Sequence, residues 1–181
     1  GYVSDEDAAD LDYADLLESM QEGSKEENEQ RRAAGYQTVE LVGWATPPFY
    51  DAAAKKLHWA KELKFEGEEV NTLNYNIRIL GRRGYLLLNV IGDITVLPQV
   101  QEDVDPILGS VTFNDGHRYA DFDPDLDEVA AYGIGGLIAG KVLAKAGFFA
   151  LLAKFWKLIV AGVIAAGAFL RKLIFGKKSE S

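Results

Sequence analysis

Residues 129–175 form a nearly unbroken run of Ala, Gly, Leu, Ile, Val and Phe punctuated by single lysines, and no other stretch narrows the fold so far. Within it, residues 158–170 carry no charge and end at Arg171 and Lys172. A bilayer span needs roughly 20 apolar residues. The segment reaches that length if Phe155 and Trp156 lie at one interface, residues 173–175 extend the other end, and Lys154, Lys157, Arg171 and Lys172 snorkel to headgroups. Upstream, residues 134–153 predict a second helix, with Lys141 and Lys145 four apart and so on one face. Two arrangements fit: a hairpin of two spans turning at Lys154 and Lys157, or one span with the upstream helix in the interface. A charge near mid-bilayer costs on the order of 3 kcal/mol, so the hairpin needs water, protein or headgroups beside both lysines. Gly136, Gly140 and Ala144, spaced by four, form a candidate helix-association ridge.

Charge divides at the same boundary. Residues 1–128 hold 27 acids and 11 bases, a net of −16, whereas residues 129–181 hold 8 bases and 1 acid, a net of +7. The acidic part repels phosphates and argues against nucleic acid; the basic part suits anionic lipid. Without a cysteine in the chain there is no disulfide framework and no thiolate metal site. The sequence starts at Gly1 without Met or a signal peptide, which reads as a fragment or a processed form.

Ahead of the apolar run, Ser4 with Asp7 predicts a helix start, Ala9, Tyr13, Leu16, Leu17 and Met20 share a helical face, and Gly23 is the expected stop. Ser24 with Glu27 predicts a second short helix ending at Gly35. From Thr38 the period becomes two, and a strand is expected to break at Pro47-Pro48. A second strand is predicted over residues 57–65, with Lys61 on its apolar side as a snorkelling cation or a buried ion-pair partner. A third over 72–80 and a fourth over 85–91 are joined by Gly81-Arg82-Arg83-Gly84 as an antiparallel hairpin. The fourth is apolar on both faces, which predicts a central or helix-covered position. A helix over 96–108 and a short strand over 111–113 complete the pattern. The expected fold is α+β: an antiparallel sheet of about four strands packed with helices, followed by a C-terminal membrane anchor of one or two helices. It divides into an acidic helical segment (1–35), the α+β domain (36–128), a hydrophobic membrane region (129–176) and a polar tail (177–181).

Catalytic chemistry has little to start from. His58 and His117 are the only imidazoles, and no nucleophile elbow, His-Glu-x-x-His, phosphate loop or dinucleotide fingerprint is present. His117, Arg118 and Asp121 make the densest polar cluster, readable as a hydrolase site or as a turn. Asp121, Asp123, Asp125 and Asp127 alternate, but a calcium loop needs Gly at its sixth position and Glu at its twelfth, where Leu126 and Tyr132 stand. The expected role of these acids is to cap the apolar helix. No cofactor or metal is called for.

Gly43-Trp44-Ala45 with Pro47-Pro48 and Tyr50-Asp51, Trp59-Ala60-Lys61-Glu62-Leu63, and Thr72-Leu73-Asn74-Tyr75-Asn76-Ile77-Arg78 stand out in combination, with residues 116–123 and Val129-Ala130-Ala131-Tyr132-Gly133. Through them nearly the whole chain resembles a family of uncharacterised bacterial membrane-anchored proteins known only as a domain of unknown function. The element order is also similar to the small sandwich shared by a nuclear-import factor and photosystem-extrinsic proteins. The family resemblance implies the C-terminal part of a longer member, the bacterial inner membrane and a periplasmic head. It implies no activity and no catalytic residues. The expected function is therefore a non-enzymatic interaction or assembly module, with the bilayer and a homo-oligomer or envelope protein as partners. The alternatives are a membrane-bound hydrolase at His117 and Asp121, or an oligomeric pore lined by Lys141 and Lys145.

Overall fold

Alternating apolar residues at Leu73, Tyr75, Ile77 and Ile79 make strand β3, Thr72–Gly81, the centre of the fold. The structure, a computed structural model, describes residues 1–140. β3 pairs antiparallel with β2, Lys56–Phe65, and with β4, Gly84–Asp93, while β1, Val39–Asp51, extends the sheet in the order β1-β2-β3-β4. The β3–β4 register is unbroken from Thr72↔Asp93 to Gly81↔Gly84, which leaves Arg82 and Arg83 as a two-residue turn.

Both faces of the sheet are covered over β2 and β3. Leu73, Tyr75, Ile77 and Ile79 pack on Val100 and Val104 of a helix at Leu97–Ser110. On the other face Leu57, Trp59 and Leu80 pack with Val3, with Leu16 of helix α1 (Tyr13–Ala33) and with Ile134. The Leu97–Ser110 helix is α2. Each fully buried side chain of this kind contributes about 1.5–3 kcal/mol.

Three expectations are corrected. Gly23 does not end a helix, because α1 runs on to Ala33 from an N-cap at Asp12, whose Oδ1 accepts from Ala14 N (2.8 Å) and Asp15 N (3.2 Å). Glycine inside a helix costs about 1 kcal/mol, and here polar contacts from its neighbours to β1 offset it. Gln21 Nε2 donates to Leu41 O (3.0 Å), and Ser24 Oγ, expected as a cap, donates instead to Val39 O (3.1 Å). The prolines do not break β1, since it is an edge strand and its pairing shifts register between Thr46 and Phe49, where a missing N–H is tolerated. Residues 111–113 are irregular, with Phe113 packed on the α2 side of the sheet. β4 takes the helix-covered alternative, at the sheet edge: its Leu88 and Val90 are covered on the α2 side, while Leu87 and Ile91 on the other side are 48 % and 67 % exposed.

The membrane anchor expected as part of the fold is also corrected. Among the described residues no helix is long and apolar enough to cross a membrane. The front of the apolar run forms only α3, Ile134–Ala139, and Gly140 at φ 74° ends it. Ile134, Gly135, Leu137 and Ile138 are buried, since Val3, Leu16, Trp59 and Tyr119 offer them an apolar surface within the domain. The fold is thus α+β, a four-stranded antiparallel sheet with helices. Lys141, Ala144, Lys145, Lys154, Trp156, Lys157, Arg171 and Lys172 lie outside the described residues.

Candidate functional site

The predicted polar cluster forms a turn whose polar groups bond one another. His117 N donates to Asn114 O (3.0 Å) around Gly116 at φ 78°, and His117 O accepts from Arg82 N (3.0 Å). Asp121 Oδ2 accepts from Arg118 N (2.9 Å), while the Arg118 guanidinium pairs with Asp115. The imidazole of His117 is exposed and makes no hydrogen bond to Asp121 or Asp123 among the described residues. No nucleophile or orienting carboxylate is thus brought to it, as hydrolysis would require.

The aspartate run divides. Asp127 turns inward, its side chain fully buried, and accepts from Arg82 Nε (2.5 Å), Arg83 Nε (2.6 Å) and Asp123 N (2.9 Å). These contacts, the Arg82 hydrogen bond foremost, hold its carboxyl well below the usual carboxylate range. Among the described residues no group of three or more His, Cys, Asp or Glu side chains is placed to hold a metal ion. The acid that caps α3 is not in this run: Asp7 accepts from Ile134 N (2.9 Å) and Gly135 N (3.0 Å). Of the glycine ridge, Gly136 lies against Tyr132, whose Cβ stands 2.5 Å from where a Cβ on Gly136 would be, and Gly140 closes α3.

Asp5 is a centre that sequence reasoning missed. Its Oδ2 accepts from Tyr50 OH (2.7 Å) and Lys55 Nζ (2.7 Å), and its Oδ1 lies 2.9 Å from Tyr119 OH. Burial raises its pKa, but the three hydrogen bonds more than offset this and leave it below the ordinary value. Burial and the same carboxylate push the Tyr50 phenol far above its usual range. A carboxylate so fully occupied is a tie, not a base. It holds the N-terminal segment where Tyr2 stacks on Phe122 (4.0 Å) and bridges Val129.

Lys61 and Arg78 are more unusual. Lys61 lines a cleft of about 320 Å³ with Glu27, Arg31, Met20 and Leu63, half-buried and in no ion pair among the described residues. Burial foremost, and then Arg78, pushes its pKa down, while Glu27 acts against both. Arg78 is buried, with its guanidinium 5.1 Å from the Trp59 ring and 5.6 Å from the Tyr85 ring, and its Nε has no hydrogen-bond partner among the described residues. Stacking on two aromatic faces is a standard way to stabilise a buried guanidinium. Arg78 is not among the residues that line the Lys61 cleft.

The two sheet edges are treated differently. The start of β1 is capped by α1: Asn28 Nδ2 donates to Val39 O (2.8 Å), Asn28 Oδ1 accepts from Val39 N (2.8 Å), and Gln21 and Ser24 take the carbonyls of Leu41 and Val39. β4 has no such cover among the described residues. The two-residue turn makes Gly81 and Gly84 a hydrogen-bonded pair, so Gly84, Leu86, Leu88 and Val90 bond to β3 and Tyr85, Leu87, Asn89 and Ile91 point their backbone groups outward. Residues 84–92 contain no charge and no proline. Natural edge strands are blunted by charge, proline, bulges or cover, and among the described residues the stretch 84–92 of β4 carries none of these.

A family model described as Protein of unknown function (DUF2167) matches residues 1–168. No curated protein matches the chain. No solved structure matches it either.

Proposed function

We propose that this chain, which belongs to the family of unknown function DUF2167, is a non-enzymatic protein-interaction module of the bacterial inner membrane, with its acidic domain on the periplasmic side. The open edge of β4 carries the interaction reading. Four residues present outward N–H and C=O groups there, two of them, Leu87 and Ile91, with exposed side chains, the arrangement that an added strand from another protein completes. Location rests on the charge division, since the net +7 of residues 129–181 favours an anionic lipid surface.

A photo-reactive residue placed at Leu87 or Ile91 of the full chain, irradiated in living cells, tests this reading. A discrete protein crosslink is expected at both positions and none at Glu40 on the capped start of β1, with the product in the membrane fraction. Absence of a crosslink at Leu87 and Ile91 overturns the interaction reading. Recovery of the protein in the aqueous fraction overturns the location.

A further inference from the structure

We infer that the strand added to β4 is β4 of a second copy of this chain, running antiparallel about a two-fold axis at Leu88. The inference rests on the interaction reading above and names its partner. Three features of β4 favour it. The strand is self-complementary in chemistry: pairing residue i with residue 176 − i sets Leu88 against Leu88, Leu87 against Asn89 and Tyr85 against Ile91, with no charge buried anywhere between Gly84 and Gly92.

The hydrogen-bond phase agrees with that axis. Leu87 and Asn89 both direct their backbone groups outward, so they form a hydrogen-bonded pair across the axis, while Leu88, whose groups bond to β3, falls at a non-bonded pair. A shift of the axis by half a residue would pair outward groups with inward ones and lose the ladder. An isologous contact of this kind closes on itself and stops at two copies.

Charge sets the register at the ends. The same pairing brings Arg83 of one copy, in the turn just before β4, beside Asp93 of the other, twice by symmetry. Arg83 uses its Nε on Asp127 and is otherwise 62 % exposed, and Asp93 is exposed at the other end of the strand. An axis at Asn89 or at Leu87 brings Asp93 opposite Tyr85 or Arg83 opposite Ile91 and forms no such pair. Two acidic domains repel in general, so this local complementarity selects one alignment out of several.

The chain has no cysteine, so introduced thiols report without background. Full-length Leu87→Cys and Asn89→Cys proteins are prepared separately, reduced, mixed and mildly oxidised, with circular dichroism to confirm both remain folded. Residues 87 and 89 of opposite copies are within disulfide reach in this pairing, whereas 87 to 87 is a diagonal beyond it. The mixture should therefore form dimer about tenfold faster than either variant alone. Equal rates in all three samples, or no covalent dimer in the mixture, overturn the inference. A heterologous crosslink at Leu87 in cells without the 87-to-89 disulfide overturns self-pairing and leaves the interaction reading standing. Failure of both experiments removes both.

Discussion

Asn28 grips Val39 at both ends of its peptide backbone, donating to the carbonyl and accepting from the amide at 2.8 Å each. A side-chain amide thus does for β1 what a fifth strand would do. Asn28→Ala leaves the partly buried Val39 N–H without a partner and the Val39 C=O with Ser24 Oγ alone, which should cost about 1–3 kcal/mol. Urea unfolding of the variant is expected to show a lower midpoint with an unchanged slope, and Asn28→Asp, which keeps only the acceptor, should fall between.

Acid should act through Asp127 and Asp5. Both carboxyls lie below their ordinary values in the folded protein, so each contributes stability that is present above its unfolded pKa and is lost as pH falls through the folded one. Melting temperature should be flat above about pH 5 and fall steadily below it. Asp127→Asn should lower the plateau and make the acid limb shallower, and thermal scans across that range check both. An acid limb as steep in the variant as in the parent would remove Asp127 from this role.

Lys61 is a half-buried cation in no ion pair among the described residues, a position where charge is a burden on the fold. Lys61→Met keeps the length and drops the charge, and should stabilise by about 1 kcal/mol. Chemical denaturation measures this directly. A loss of stability instead would mean that Glu27 and Lys61 act as a pair across the cleft.

The sheet was legible in the sequence because its signal is local: the alternation of Leu73, Tyr75, Ile77 and Ile79 and the Gly81 to Gly84 turn predict β3, β4 and their pairing. What was not legible depends on partners distant in sequence. Gly23 reads as a stop until the β1 carbonyls that hold Gln21 and Ser24 are in place. Asp5 shows no local pattern that distinguishes it from the surrounding acids, since Tyr50, Lys55 and Tyr119 reach it from far along the chain. The apolar residues of α3 read as lipid-facing for the same reason: periodicity reports that a face will be buried and not by what. The two-sided apolar pattern of β4 predicted a central or helix-covered position, and α2 covers one face while Leu87 and Ile91 on the other stay exposed.

Hydrogen exchange at the outward amides of Tyr85, Leu87, Asn89 and Ile91 tests the central claim most directly, measured on the full chain in membranes from the cells that make it and on the same chain purified and dilute. The open edge predicts strong protection of these four in the membranes and fast exchange in dilute solution, while Leu86, Leu88 and Val90, bonded to β3, exchange slowly in both. Equally fast exchange of the four in both samples would contradict it.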